Sequence, residues 1–197
     1  MDLIALAVPF FLLTIVLEFA VDRVRGTGYY RSNDAINSLS AGTLSVTFGY
    51  FTRLFPAIFW GYILQNFALI EVDPTWFDFS PTGLMLWALA LTSFDFCYYW
   101  AHRMGHEISI LWAAHAVHHQ SEEYNLSTAL RQTSTGFLFT WVFYLPLFLF
   151  GMPFEVFVTV NALDLIYQFW VHTRHIGRLG WMERIFVTPS NHRVHHA

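Results

Sequence analysis

The chain has no lysine and one cysteine, Cys97, and only 12% of its 197 residues are charged. Each scarcity excludes something. A single cysteine rules out an intramolecular disulfide, a cysteine-based zinc site and iron–sulfur ligation. The cations are all arginines, the net charge is −4, and no basic stretch suits a nucleic acid, so no nucleic-acid partner is expected. An ordinary soluble domain carries about 25% charged residues, twice what is found here. What the chain has instead is apolar surface: 55% hydrophobic and 19% aromatic residues, with 21 Phe and 8 Trp. A water-soluble fold of this length could not hide so much, whereas a bilayer can.

Apolar stretches fall at 3–21, 50–70, 82–101, 135–150 and 154–171. Each is near the length a helix needs to cross the hydrocarbon core, the fourth being short. Met1 to Val21 lacks the positive leader and small-residue cleavage site of a signal peptide, so it reads as a retained transmembrane helix. The stretch Asn33 to Gly49 is too polar to span and reads as an interfacial helix or loop. Arginine placement gives an orientation. Arg23, Arg25, Arg31 and Arg53 follow the first span or open the second; Arg103 ends the third, Arg131 opens the fourth, and Arg174, Arg178 and Arg184 follow the fifth. The acidic loop Glu71 to Pro81 and the Gly151-Met152-Pro153 turn then lie outside. Five crossings put every arginine cluster, and all ten histidines, on the cytoplasmic face. The expected architecture is an all-α polytopic transmembrane bundle of about five spans, with a cytoplasmic-side helical, His-rich metal cap. Residues 1–84 form its N-terminal transmembrane and interfacial region and 85–197 its His-bearing domain.

The histidines come in groups. His102 and His106 are spaced i, i+4; His115, His118 and His119 are spaced i, i+3, i+4; His172 and His175 are spaced i, i+3; and His192, His195 and His196 repeat the HxxHH box. Residues three and four apart share a helix face, so each group can turn two or three imidazoles toward one point. An isolated histidine near a membrane interface is ordinarily a polar, hydrogen-bonding residue. Two HxxHH boxes and an HxxxH on one face are better explained by metal. Imidazole alone does not choose among Fe, Zn, Cu and Ni. One metal seldom takes more than six ligands, and more histidines than that are present, so two metals fit better than one. His175 is as readily an exposed loop residue as a ligand.

Two polar stripes run through otherwise apolar spans: Asp95, Tyr99, His102 and His106 in the third, and Asn161, Asp164, Gln168 and His172 in the fifth. Polar side chains inside a membrane usually face the bundle interior. Because metal-bound histidines commonly donate their second ring N–H to a carboxylate or carbonyl, Asp95 and Asp164 are candidate acceptors. Hydrogen bonding between helices is the alternative for both. Glu122, Asn125 and Arg131 are candidates for supporting the site or lining its head-group end.

At these residues the sequence resembles the fatty acid hydroxylase superfamily, also called the sterol desaturase family. Asp95 to Arg103 is similar to its DFxYYWxHR signature, and His115 to His119 with the tail through Arg131 is similar to its HxxHH box. Tyr167 to Thr173 and Thr188 to His196 resemble the branch that includes the alkylglycerol monooxygenases. The resemblance covers residues 85–197. It implies a membrane-bound, non-haem di-iron oxygenase that hydroxylates or desaturates a lipid alkyl chain or sterol with O2. Its two Fe would be held by His102, His106, His115, His118, His119, His192, His195 and His196, with His172 as a further ligand. A lipid is the implied substrate, and a separate reductase or a pterin the implied electron donor. Asn191 stands where that branch often has another histidine, and relatives usually continue past the last box with a further helical segment, so a C-terminally truncated domain is expected. The alternatives are a His-ligated di-zinc membrane hydrolase, which lacks the general-base glutamate of an HExxH motif, and a metal-binding or transport protein, whose ion sites would lie nearer the bilayer midplane.

Overall fold

A computed structural model describes residues 3–197; Met1 and Asp2, at the head of the expected first span, lie outside the described residues. The order is α1 (Leu3–Arg25), α2 (Ser32–Thr52), α3 (Leu54–Phe67), α4 (Pro81–Glu107), α5 (Ser109–His119), α6 (Leu126–Ala129), α7 (Leu145–Leu149), α8 (Phe154–Trp170) and α9 (Pro189–His195). Short 3₁₀ turns occupy Pro74–Trp76, Gly136–Leu138, Thr140–Tyr144 and Gly180–Arg184. No strand occurs among the described residues, so the all-α expectation holds.

Of the described helices, only α1 is long and apolar enough by itself to cross a membrane. Its 23 residues reach about 35 Å at 1.5 Å per residue, enough for a hydrocarbon core of roughly 30 Å. Leu6, Phe10, Leu13, Val16 and Leu17 project outward on it, an apolar surface suited to lipid. The expected second and fourth crossings are interrupted. At residues 50–70 the helix breaks at Arg53, because Pro56 in the first turn of α3 has no N–H for the carbonyl of Thr52. At 135–150 the chain forms two 3₁₀ turns and then the five-residue α7, which has Pro146 in its first turn. Hydropathy registers the apolar character of both stretches but not the missing donors. The expected interfacial segment, 33–49, is helical within α2.

The described chain forms two compact units, each drawn from separated segments. The first combines residues up to Val46, His115–Ser134 and Leu165–Ala197. Here α1 buries Ala7, Ile15, Glu18 and Asp22, a stripe at helical spacing, and α1 packs on α6. Gly42 passes so close to the carbonyl of Leu130 that a Cβ would collide with it. Ile15, Tyr30, Ala129 and Phe169 form the small apolar core of this unit.

The second unit combines Thr47–Ala114 and Thr135–Asp164. Its core is Ala90, Phe94, Cys97, Leu147, Phe148, Val156, Phe157 and Val160, flanked by Trp60 and Tyr144. α4 starts cleanly: Ser80 Oγ accepts from the N–H of Gly83 at 3.1 Å, and Pro81 takes a first-turn position that needs no donor. The turn before α8 requires Gly151, whose φ is +85° and whose α-carbon approaches the Ile70 carbonyl too closely for a side chain.

Candidate metal centre

Three sequence-distant pieces of the first unit converge: the last turn of α5, the turn after α8, and α9. The i, i+3, i+4 spacing of each HxxHH box splits its imidazoles between two clusters. His118 joins His172, His192 and His196, with their candidate donor nitrogens all within 4.8 Å of one another. The Nε2 atoms are 3.2 Å apart for His118 and His172, 3.0 Å for His172 and His192, and 3.2 Å for His192 and His196. In the same unit, the donor nitrogens of His115, His119 and His195 also lie within 4.8 Å of one another. His115 and His119 oppose their Nε2 atoms at 3.0 Å.

The tautomers can be read from the opposite ring atoms. His118 Nδ1 lies 2.9 Å from the Arg131 carbonyl, and His172 Nδ1 lies 2.7 Å from the Gln168 carbonyl. A carbonyl only accepts, so both Nδ1 atoms carry a proton, and in a neutral ring Nε2 is then the nitrogen left to bind. Two lone pairs then face each other at 3.2 Å, with His192 and His196 adding further nitrogens. Such an arrangement is favourable only when a cation, either a proton or a metal ion, sits among the nitrogens. Burial, together with His118 and His192, holds His172 well below its ordinary pKa, and burial beside His118 and His172 does the same to His196. Neutral imidazole is the form that binds metal. The donor set therefore fits a metal ion that prefers nitrogen ligands, and backbone carbonyls orient its histidines.

In the second unit, His102 and His106 sit one turn apart near the end of α4, their donor nitrogens also within 4.8 Å. His102 Nδ1 meets the Tyr98 hydroxyl at 3.1 Å. Asp95 is exposed on the same helix. Glu122 is exposed and ion-paired with Arg31. Asn125 is buried and caps α6: its Oδ1 accepts from the N–H of Ser127 at 3.1 Å, and its Nδ2 donates to the Tyr29 carbonyl at 2.8 Å. Arg131 donates from Nε to the Val117 carbonyl at 2.7 Å. His175 belongs to neither cluster and packs on the Tyr29 ring. An apolar cavity of about 1110 Å³ in this second unit is lined by Phe96, Trp100 and Met104, among others. Two positions along a helix turn it by about 200°, so Trp100 and Met104 lie on a face of α4 roughly opposite that of His102 and His106.

Sequence reasoning missed three buried carboxylates of the first unit. Glu18 accepts from the Tyr30 hydroxyl at 2.5 Å, from the N–H of Leu126 at 2.8 Å, and from the Thr173 hydroxyl. Burial and the nearby Glu18 raise the pKa of Tyr30, so its phenol stays protonated to donate. Asp22 accepts from the Thr27 hydroxyl and the N–H of Tyr29, at 2.6 and 2.7 Å. Asp34 accepts from Ser121 Oγ at 2.6 Å and from the N–H groups of Glu122 and Glu123 at 3.3 and 3.2 Å. The signal was present: Glu18 and Asp22 stand at i, i+4 in an apolar helix, where an acid is costly unless it has partners. Tyr124 was also missed; it donates to the Val171 carbonyl at 2.8 Å, and its ring lies 5.7 Å from that of His172.

An all-helical, histidine-clustered chain of this kind defines a class, and the comparison of sequences bears it out. The protein belongs to the fatty acid hydroxylase family, a membrane-associated family whose profile matches residues 87–197. It is 42% identical to human alkylglycerol monooxygenase over 198 residues, covering 99% of this chain and 42% of that protein. The zebrafish (Danio rerio) alkylglycerol monooxygenase is 43% identical over 193 residues, covering 96% of this chain and 41% of that protein. Ornithine lipid hydroxylase OlsE of Rhizobium tropici is 32% identical over 123 residues, covering 62% of this chain and 37% of that protein. The chain thus spans about two fifths of the length of the alkylglycerol monooxygenases it matches. No solved structure matches it.

Proposed function

We propose that this chain carries the metal centre of a membrane-bound, O2-dependent lipid monooxygenase. Its two irons are assigned to His102, His106, His115, His118, His119, His172, His192, His195 and His196. The observation that carries this reading is the convergence of the Nε2 atoms of His118, His172, His192 and His196, with successive pairs 3.0–3.2 Å apart. Four imidazoles gathered this way can hold a redox-active metal, and an unactivated C–H bond requires one, because it has no acidic proton for a base to take.

Bound iron supplies the capacity to reduce O2 and to oxidise the C–H bond. One oxygen atom enters that bond and the other leaves as water, with two electrons and two protons arriving from a separate reductase or a pterin. The residues of the chain hold neutral nitrogens in place: the carbonyls of Arg131 and Gln168 fix the His118 and His172 rings, and Tyr98 stands beside His102. Asp95, Glu122 and Asn125 are assigned supporting roles around the ligands. The names of its relatives, alkylglycerol monooxygenase and ornithine lipid hydroxylase, favour a glycerol ether or another polar lipid with a long alkyl chain as substrate. We place the histidines at the cytoplasmic face of a multi-pass bundle, where electrons reach them from water and lipid reaches them from the bilayer.

The test is elemental analysis of the detergent-purified, full-length natural protein, followed by O2 uptake with alkylglycerol and a pterin or reductase. About two irons per chain and lipid-dependent O2 uptake are expected. Zinc alone after anaerobic iron loading would move the assignment to hydrolysis, and no stoichiometric metal would refute it.

A further inference from the structure

We propose that Glu18, in the N-terminal helix α1, is a positioning residue for the His118–His172–His192–His196 cluster, an inference that rests on the reading of that cluster as a metal site. The carboxylate of Glu18 is 7% exposed and joins three pieces of chain. One oxygen, Oε2, accepts from the N–H of Leu126, in the segment after the first HxxHH box, and from the Tyr30 hydroxyl. The other, Oε1, accepts from the hydroxyl of Thr173, the residue directly after His172. The two segments that follow His118 and His172 are therefore fixed to one rigid side chain. Their ring nitrogens face each other at 3.2 Å.

Neighbouring bonds support the same geometry without replacing this link. Tyr124 ties the first segment to the Val171 carbonyl, Asn125 ties it to the Tyr29 carbonyl, and Asp34 holds Ser121, Glu122 and Glu123. Thr173 Oγ1 also accepts from the N–H of His175 at 3.1 Å, so the hydroxyl held by Glu18 organises the turn that leads away from His172. α1 buries few of its residues, and two of these are Glu18 and Asp22. An anchor needs no buried acid. Taking a carboxylate out of water is costly unless it is fully partnered, and this one has three donors, all in the unit that holds the His118–His172–His192–His196 cluster.

The test uses the full-length protein with Co(II) in place of the native metal, because its visible absorption reports ligand number and geometry without turnover. Glu18→Leu should weaken Co(II) binding at one of the two sites by at least tenfold and alter that site's spectrum, in line with the 10–100-fold losses seen when groups behind metal ligands are removed. Glu18→Gln should recover most of the affinity, since its carbonyl oxygen can still accept from Leu126 while the two hydroxyls rotate. Glu155→Gln, at an exposed acid of α8, serves as the control and should match wild type. If Glu18→Leu does not fold, Thr173→Val removes the hydroxyl that links Glu18 to the His172 turn, together with its bond from the His175 N–H, and should lower affinity several-fold with unfolding temperature near wild type. Wild-type affinity and spectrum in a folded Glu18→Leu or Thr173→Val would overturn the proposal and leave the functional reading standing. Absence of Co(II) binding in wild type would overturn both.

Discussion

The two units solve the problem of the interior in opposite ways. The second is closed by aromatic and aliphatic packing: Phe94, Phe148 and Val160 are fully buried, with Trp60 stacked on Phe148 at a centroid distance of 5.3 Å. The first places its polar groups inside: Glu18, Asp22, Asp34, Asn125, Ser127, Thr128, Thr173 and two histidines are all buried. Apolar packing tolerates substitution by any side chain of similar shape, whereas a buried carboxylate accepts only an arrangement that brings its donors. The first unit gives up that tolerance and in return fixes the backbone near its histidines to within a hydrogen-bond length. The difference teaches where hydrogen bonds take the place of packing: around the four-imidazole cluster, and much less in the second unit, which carries His102 and His106 at the end of a packed helix.

That comparison can be broken by measurement. The largest effect is expected from His118→Ala combined with His172→Ala, which should halve the metal content of the full-length protein; unchanged stoichiometry by elemental analysis would remove the polar interior's purpose. Phe94→Ala should cost about 3–5 kcal/mol of stability through the cavity it leaves. Its thermal unfolding in detergent should shift while the Co(II) spectrum of the folded fraction stays as in wild type. A changed spectrum would mean that this apolar core also sets the geometry of His102 and His106 at the end of α4. Asp34→Ala strands two backbone N–H groups, while the Ser121 hydroxyl keeps the Glu123 carbonyl, and should cost about 1–3 kcal/mol. Faster hydrogen exchange at Glu122 and Glu123 would localise the loss. Asn125→Ala removes the cap of α6 and should cost about 1 kcal/mol, read from the same unfolding transition. Glu122→Gln should be the mildest, below about 1 kcal/mol, because its pair with Arg31 is open to solvent. Equal losses from Glu122→Gln and Asp34→Ala would show that burial is not what distinguishes the clamps.

Much of the metal centre was legible because local spacing encodes it. Histidines at i, i+3 and i+4 crowd one side of a helix, so the spacing singled out both HxxHH boxes, while His172 came forward from a polar stripe and from the family resemblance. The polar stripe of the fifth span singled out His172, which lies in the four-imidazole cluster, while its acceptor is the Gln168 backbone, which no side-chain pattern reveals. Glu18 stayed hidden for a different reason: two of its partners lie 108 and 155 positions away, and their donors are a backbone N–H and a threonine hydroxyl, residue types that signal nothing by themselves. The helix breaks at Arg53 and before Pro146 were visible as prolines, yet a hydropathy window averages over the single missing donor that decides them.

The four-imidazole cluster draws its members from residues 118, 172, 192 and 196, and this has a consequence for synthesis. When α5 leaves the ribosome, His118 has no partners, and they arrive only after α8 and α9 have followed. A metal held by this cluster would therefore be captured late, after the helices before α9 have been made. Until then the nascent chain offers only incomplete histidine sets, so the cation such a cluster took would depend on which one is exchangeable when α9 docks.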